Sequence, residues 1–292
     1  MSAKRYIRLK ELRPLSRGAH IPDSAYLALT DGSLKSGPFI WSTDEFGFLE
    51  TGSSSTGGRQ LFLMGDSFVE SMFAQPTTRF AAVLESQVRA RGHRVDVRNA
   101  GYSGATTLQT FNTMVNKIAP LTRPGDVILI FPSQSDAAAA LDHGGYWGGS
   151  ARYATLLPPR GTSQGSVADP RLETRKALRL IAAAARALEL HVVVASTPFR
   201  QGNFAWDATL RNQYARNRSR YEKYLSFRLA LIEDTAIIAR ETGLRHIAAA
   251  DWLSGLPELF YDELHLNETG HEVLGKRLAD EISLEFAVPT VL

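Results

Sequence analysis

The segment "LFLMGDS" at residues 61–67 joins four apolar residues to an abrupt change into Gly65, Asp66 and Ser67. Four apolar residues in a row are typical of a strand that is covered on both faces, as in a parallel sheet. A Leu or Val at position 67 would bury more area than the small hydroxyl does. We therefore interpret Ser67 as a nucleophile, which requires a base, an orienting group and oxyanion donors from elsewhere in the chain.

Further apolar runs follow this segment and alternate with longer amphipathic stretches. That alternation predicts parallel strands joined by crossover helices. The predicted strands are residues 61–64, 94–98, 126–131, 191–196 and 245–250. The predicted helices lie near residues 78–90, 107–118, 172–190, 219–242 and 268–284. We therefore expect an α/β fold with a parallel five-stranded sheet.

The amino-terminal part of the chain has a weaker pattern than the rest. Residues 1–58 contain too few apolar periods to fold alone, so we expect an N-terminal extension packed on the core. Residues 59–292 then form the main domain, with a long irregular loop at residues 142–170. Such loops are often lids or binding loops. The sequence GGYWGG at residues 144–149 gives this loop an aromatic pair that suits a sugar ring or an acyl chain.

Composition narrows the classes of function. The 33 Lys and Arg residues and 30 Asp and Glu residues leave a net charge of +3, which is too small to indicate nucleic acid or membrane binding. The chain has no cysteine, which excludes disulfides, thiolate metal sites and cysteine catalysis. No phosphate-binding glycine motif occurs, so nucleotide binding has no support and we predict no cofactor.

The amino terminus is basic but lacks a following apolar segment, and no run of about 18 apolar residues occurs. We expect a cytoplasmic protein without a membrane segment, although a trimmed signal peptide would leave the same sequence. Residues 211–224 interleave cations with tyrosines at the start of a predicted helix. Such a pattern could bind a polyanion, but at the start of a helix it indicates a solvated face with Tyr221 and Tyr224 turned inward. Nucleic acid is therefore not expected as a partner.

Polar residues follow the predicted strands at their carboxyl ends, where open parallel sheets bind ligands. Ser67 follows the first strand and "NAGYSG" (residues 99–104) follows the second. The segment "SQSD" (residues 133–136) follows the third strand, and "YDELHLNETGH" (residues 261–271) comes after the fifth. The reactive residue types are therefore expected at one edge of the sheet.

His265 is the candidate base for Ser67, because imidazole accepts a proton best near neutral pH. Asp262 lies three residues earlier, a spacing that predicts both side chains on one side of a helical turn, where the carboxylate orients the imidazole. Asp66 points away from its neighbour Ser67 and is expected to cap backbone donors at the strand-to-helix turn. The amides of Ser67 and Gly101 are the candidate oxyanion donors.

Together these segments resemble the SGNH hydrolases, also called the GDSL family. The matching blocks are "GDS" at residues 65–67, Gly101 in "NAGYSG", "SQSD" ending at Asp136, and "DELH" at residues 262–265. The match covers roughly residues 59–286.

The resemblance implies a flavodoxin-like three-layer α/β/α sandwich and metal-independent ester hydrolysis or acyl transfer. It assigns Ser67 as nucleophile, His265 as base and Asp262 as the orienting carboxylate.

The third block departs from the family, which usually has "GxND" with the Asn side chain as a third oxyanion donor. Ser135 occupies the position of that Asn, and its hydroxyl can donate but reaches less far than an amide. Gln134 reaches further but is expected to point the other way. Both are candidates for the third donor, and Asp136 is a supporting residue.

We expect a serine esterase that hydrolyses an O-acyl ester, acetyl or short-chain, of a carbohydrate or small molecule bound under the loop at residues 142–170. Two alternatives stay open at this point. The first is an O-acyltransferase acting on a glycan or natural product, which would need the loop to exclude water from the acyl-enzyme. The second is a non-catalytic ligand-binding module, which the missing Asn would explain.

Overall fold

The computed structural model of the protein describes residues 4–159 and 165–287. Its strands are β1 (Tyr6–Ile7), β2 (Arg17–His20), β3 (Phe39–Ser42), β4 (Arg59–Met64), β5 (Val95–Asn99), β6 (Val127–Ile130), β7 (Leu156–Leu157), β8 (Val192–Ala195) and β9 (Arg245–Ile247). Its α-helices are α1 (Ser24–Leu27), α2 (Ser67–Glu70), α3 (Phe80–Ala90), α4 (Thr107–Thr113), α5 (Ser135–Asp142), α6 (Pro170–Ala187), α7 (Ala208–Gln213), α8 (Arg218–Thr242), α9 (Ala249–Leu253) and α10 (Glu268–Ala287). Short π-helical and 3-10 segments occupy Met114–Ile118, Ala119–Leu121 and Pro257–Leu259.

The core of the molecule is one parallel sheet with the strand order β5-β4-β6-β8-β9. Each of these strands overlaps one of the five predicted from the sequence, so the predicted sheet is confirmed. Counted among themselves, the strands follow the flavodoxin-like order 2-1-3-4-5. The chain reverses its direction of winding at β4, and sheets of this order bind ligands at such a switch point, here beyond the carboxyl ends of β4 and β6.

The apolar run in β4 is explained by burial on both faces of the sheet. Leu61 and Leu63 belong to the core cluster on one face, whereas Phe62 and Met64 belong to the cluster on the other. All four side chains are at most 2% exposed. Because successive side chains of a strand point to opposite faces, a strand between two helical layers must be apolar at every position.

Helices cover both faces of the sheet. Residues of α3, α9 and α10 pack in the first core cluster, and residues of α6 and α8 pack with the 114–118 segment in the second. The three-layer α/β/α sandwich is therefore confirmed.

Some element boundaries differ from the prediction. The strand predicted at 245–250 ends at Ile247, because Ala249 and Ala250 already belong to α9, where Ala250 N donates to Ser196 Oγ at 3.0 Å. The helix predicted at 107–118 changes to π-helix after Thr113. Helices α1, α5 and α7 were not predicted. No helix in the described segments is long and apolar enough to cross a membrane.

Residues 4–58 form local structure that lies against the rest of the chain. β2 and β3 make an antiparallel pair, and β1 pairs with β7 inside the loop at residues 142–170. The amide of Leu49 donates to the carbonyl of Asn99 at 2.9 Å, and Phe48 is buried against Phe62. These contacts bring the amino-terminal segment to the carboxyl edge of the sheet.

Candidate active site

Ser67 lies at the first position of α2, directly after the sharp turn that ends β4. Asp66 is the N-cap of that helix and accepts a hydrogen bond from the amide of Phe68 at 3.1 Å. The predicted capping contact of Asp66 is thus present. The amide of Ser67 has no hydrogen-bond acceptor within the described residues and is free to bind an oxygen of a substrate.

His265 connects Ser67 to Asp262. Its Nε2 is 2.8 Å from Ser67 Oγ, and its Nδ1 is 2.7 Å from Asp262 Oδ2. An ionised carboxylate only accepts hydrogen bonds, so the proton of the neutral imidazole resides on Nδ1 and Nε2 accepts from the serine hydroxyl. Ser67 and the Asp262–His265 pair, predicted from two separate segments, therefore meet with the geometry of a Ser-His-Asp triad.

The pairing of Asp262 with His265 does not use the predicted helical turn. Asp262 Oδ1 accepts hydrogen bonds from the amides of Leu264 at 2.7 Å and His265 at 2.6 Å. Short Asp side chains commonly bond to the backbone two or three residues ahead and so make a turn of their own. The i,i+3 spacing thus brings the residues together by a turn that the carboxylate itself stabilises.

The electrostatic interaction between Asp262 and His265 shifts the pKa of each residue. Burial alone would raise the pKa of Asp262, but the charge and hydrogen bond of His265 outweigh it and hold that pKa below its usual value. Burial would lower the pKa of His265, and Asp262 outweighs it, so that the pKa of the imidazole lies above its usual value. This environment stabilises the imidazolium that forms when His265 accepts a proton.

Two tyrosines that the sequence analysis did not single out contact this pair. The hydroxyl of Tyr26, on α1 of the amino-terminal segment, donates to Asp262 Oδ2 at 2.6 Å. The ring of Tyr261 stacks on the imidazole of His265 with centroids 5.6 Å apart and planes 15° apart. Helix α1 is a single turn with no buried residue, so no periodicity could have pointed to Tyr26.

The amide of Gly101 is not available as the predicted oxyanion donor, because it donates to Asn99 Oδ1 at 2.9 Å. A glycine is needed at this position for packing. A Cβ there would lie 2.2 Å from the backbone nitrogen of Glu70.

Gly104 offers a free amide three residues further along. It has φ +71°, a left-handed conformation that favours glycine, and its N–H has no acceptor within the described residues. Its loop is fixed on both sides, since Tyr102 N donates to Gly65 O at 3.2 Å and the carbonyl of Ala105 accepts from Ser133 Oγ. The sequence signal was the second glycine of "NAGYSG", which the prediction passed over.

The residues at the position of the family's Asn bind within the protein. The amide and hydroxyl of Ser135 both donate to Asp66 Oδ2, at 3.0 and 3.1 Å, and Ser133 Oγ lies 2.9 Å from the same oxygen. The side-chain amide of Gln134 donates to the carbonyl of Thr197 at 3.0 Å. Gln134 is thus turned away from Ser67, as expected, and the Ser135 hydroxyl is held by Asp66.

Asp136, the predicted supporting residue, lies in the first turn of α5. It is fully buried and accepts hydrogen bonds from the amide of Thr107 at 2.9 Å and the hydroxyl of Thr174 at 3.2 Å. Burial raises the pKa of Asp136 to about 7. The carboxyl group therefore joins the starts of α4, α5 and α6 at the carboxyl edge of the sheet.

The aromatic pair of the 142–170 loop divides between core and surface, and residues 160–164 of that loop lie outside the described residues. Tyr146 is buried beside Thr174, with 3.2 Å between the hydroxyl oxygens, so the expectation that it lies against a ligand is wrong. Trp147 is 57% exposed and remains free for contact. His271 is buried and its Nδ1 accepts from the amide of Phe80 at 3.4 Å, so this histidine packs within the core.

Comparison with known proteins is consistent with this architecture. The family model of the GDSL-like lipases and acylhydrolases matches residues 63–273. Among solved structures, an acetyl xylan esterase is 12% identical, with 76% of this chain and 99% of that chain covered and a TM-score of 0.53. The aryl esterase of M. smegmatis is 15% identical, with 77% and 98% covered and a TM-score of 0.53. An acetyl-xylooligosaccharide esterase from Geobacillus is 16% identical, with 82% and 98% covered and a TM-score of 0.50.

At these identities the solved structures show a shared fold, and no curated protein matches the chain. The family model carries the assignment, because it spans most of the sequence and includes both the "GDS" and the "DELH" segments. The predicted resemblance is confirmed. The protein belongs to the GDSL-like lipase/acylhydrolase family and is a carboxylic ester hydrolase.

Proposed function

We propose that this hydrolase cleaves an O-acyl ester, acetyl or another short acyl group, of a carbohydrate or small molecule through a Ser67, His265 and Asp262 triad. The observation that carries the proposal is the continuous hydrogen-bonded chain of 2.8 Å from Ser67 Oγ to His265 and 2.7 Å from His265 to Asp262. These distances lie within the range over which a general base takes a proton.

In the proposed reaction His265 Nε2 takes the hydroxyl proton of Ser67 while Oγ attacks the ester carbonyl carbon. Asp262 stabilises the resulting imidazolium, which then donates the proton to the departing alcohol. Water, activated by the same imidazole, next attacks the acyl-enzyme and releases the acid. This cycle uses only groups of the protein and water.

The amides of Ser67 and Gly104 are the proposed oxyanion donors, and Gly104 replaces Gly101 in this role. Both amides are without an acceptor in the described residues, whereas Gly101 N is bound to Asn99. Each such donor contributes about 3 to 4 kcal/mol to stabilising the transition state. Ser135 could supply a further donor only by rotating its hydroxyl away from Asp66.

The exposed Trp147 supports a carbohydrate or other ring-bearing alcohol. Its indole offers a flat apolar surface on the loop whose Arg152 packs against Gly104. We therefore propose that the alcohol portion of the substrate lies against the 142–170 loop, with the acyl group at Ser67.

Hydrolysis of 4-nitrophenyl esters by wild type and Ser67→Ala tests the proposal. We expect the variant to lose at least about 10³-fold in kcat, because the nucleophile acts in every turnover. Among the esters, acetate should be cleaved faster than decanoate. Ser86→Ala, on the exposed side of α3, is the matched control and should retain wild-type rates. Equal rates for Ser67→Ala and wild type would overturn the triad.

A further inference from the structure

Three cations lie close together beside the carboxyl edge of the sheet. Lys10 and Arg8 follow β1, and Arg152 belongs to the 142–170 loop. The ammonium of Lys10 lies 5.1 Å from the centre of the Tyr102 ring. Arg8 Nη2 donates to the carbonyl of Ala151 at 3.1 Å, next to Arg152. Like charges repel, so this convergence opposes folding unless an anion joins it.

Lys10 has no counter-ion in the described part of the chain. It is 5% exposed, and it forms neither an ion pair nor a hydrogen bond there. Burial, followed by Arg8 and Arg152, lowers the pKa of Lys10 to about 8, and Glu70 only partly opposes this. The carboxylate of Glu70 has other partners, since it accepts a hydrogen bond from the amide of Ser103 and lies 3.9 Å from His20.

Apart from the Tyr102 ring, the ammonium of this buried residue has no partner in the described residues, and proteins normally pair such groups with an anion. The cluster also reaches solvent, because Arg152 is exposed and Arg8 is half-buried. An anionic group can therefore approach along Arg152 and meet Lys10 at the inner end of the cluster.

The cluster borders the proposed reaction centre. Tyr102, which lies under Lys10, donates its amide to the carbonyl of Gly65, two residues before Ser67, at 3.2 Å. A Cβ on Gly104 would lie 2.5 Å from Nε of Arg152, so this guanidinium packs on the loop of the proposed oxyanion donor. A substrate held at Ser67 would extend its alcohol portion past these cations.

We propose that Lys10, Arg8 and Arg152 bind an anionic group, a carboxylate or a phosphate, on the alcohol portion of the ester substrate. This inference rests on the proposed function and names its substrate class. Arginine pairs well with either group through two parallel N–H donors, and lysine adds a point charge. No covalent step is involved, because the anion contributes only to binding and orientation.

Three O-acetylated sugars distinguish the charge and its source. They are acetylated methyl glucuronide as the free acid, the same compound as its neutral methyl ester, and acetylated methyl glucoside 6-phosphate. We expect kcat/KM for acetyl release to be higher for the free acid than for the neutral ester. Comparing the free acid with the phosphate tells which anion fits better, and preference for either one over the neutral compound supports the site.

Lys10→Met and Arg152→Gln test the residues. Each variant should lower the ratio of kcat/KM for the free acid to kcat/KM for the neutral ester about tenfold, since one charge-assisted contact is lost. Lys10→Met should also raise the melting temperature, because the repulsion of Lys10 by Arg8 and Arg152 is removed, whereas a purely structural lysine would make the variant less stable. Lys223→Met, at an exposed position of α8, is the matched control and should keep the wild-type preference.

Calorimetric binding to Ser67→Ala and Ser67→Ala/Lys10→Met separates this inference from the proposed function. Binding of the free acid that weakens with Lys10→Met, without turnover by the wild type, would support the anion site and overturn the esterase. Serine-dependent hydrolysis with equal kcat/KM for the charged and neutral sugars would keep the esterase and overturn the anion site. An equal loss of preference in Lys223→Met would also overturn it.

Discussion

Asp262 is the most heavily constrained residue of the proposed triad. Its Oδ1 accepts from the amides of Leu264 and His265, and its Oδ2 accepts from His265 Nδ1 and the hydroxyl of Tyr26. Four donors fix both the position of this carboxylate and its ionised state. The imidazole is therefore already oriented to accept a proton from Ser67.

The raised pKa of His265 predicts the acid limb of the pH profile. His265 must be neutral to act as base, so kcat/KM should fall as the pH drops through its pKa. Asp262 holds that pKa above the ordinary value of 6.5, although burial acts in the opposite direction. We expect half-maximal kcat/KM for 4-nitrophenyl acetate at a pH above 6.5. A midpoint below that value would contradict the assignment of His265 as base.

Tyr26→Phe tests the role of Tyr26 as a positioning residue. Loss of the hydroxyl leaves more negative charge on Asp262 to attract the imidazole proton, so the acid limb should move to higher pH. A hydrogen bond to a charged group contributes about 1.5 to 3 kcal/mol, and we expect kcat to fall roughly tenfold with little change in KM.

Tyr6→Phe is the control for that variant, because Tyr6 is 57% exposed and its hydroxyl has no partner in the described residues. A Tyr26→Phe enzyme with lower kcat but an unmoved acid limb would show that Tyr26 contributes to packing alone.

At the scale of elements, the turn after β5 packs on helix α2, and Gly101 makes this contact possible. Gly101→Ala would place a Cβ 2.2 Å from the backbone nitrogen of Glu70, which cannot move without displacing the helix that begins at Ser67. We expect the free energy of unfolding to fall by about 1 to 3 kcal/mol or more. Gly255→Ala is the control, because nothing lies within 4 Å of its added Cβ. Equal melting temperatures for the two variants would contradict the packing role.

The sequence predicted the strands, their parallel arrangement and the segments that carry Ser67, Asp262 and His265. These predictions are confirmed for the strands because apolar periodicity is local in the chain, and the site segments could be located because motif spacing is local too. The role of Gly101 could not be predicted, since both an oxyanion loop and a tight helix contact require the absence of Cβ. Tyr26 meets Asp262 across 236 positions of sequence, and nothing near Tyr26 records that contact. The change from β9 to α9 was missed because alanine fits either element.

For the whole molecule, we propose that residues 1–58 are an extension of the hydrolase domain at residues 59–292 and not a second domain. The support is that Phe48 and Leu49 are buried in contacts with the main body, while Tyr26 and Lys10 lie at the proposed site.

Separate production of residues 1–58 and 59–292 tests this organisation. The long fragment should melt at a lower temperature than the full chain, since removing Phe48 alone costs about 1.5 to 3 kcal/mol of burial. The short fragment should show no cooperative thermal transition by circular dichroism. A sharp transition in that fragment would identify it as a domain of its own.

The pairing of β1 with β7 has a practical consequence for protein engineering. The amino-terminal strand is joined to the same loop that carries Trp147 and Arg152, so we expect a bulky fusion partner attached ahead of it to lie near the proposed substrate site. An affinity tag or fluorescent reporter at that end is expected to hinder large glycans more than it hinders nitrophenyl acetate. Comparing both substrates before and after protease removal of such a tag would map the direction from which the natural ester arrives.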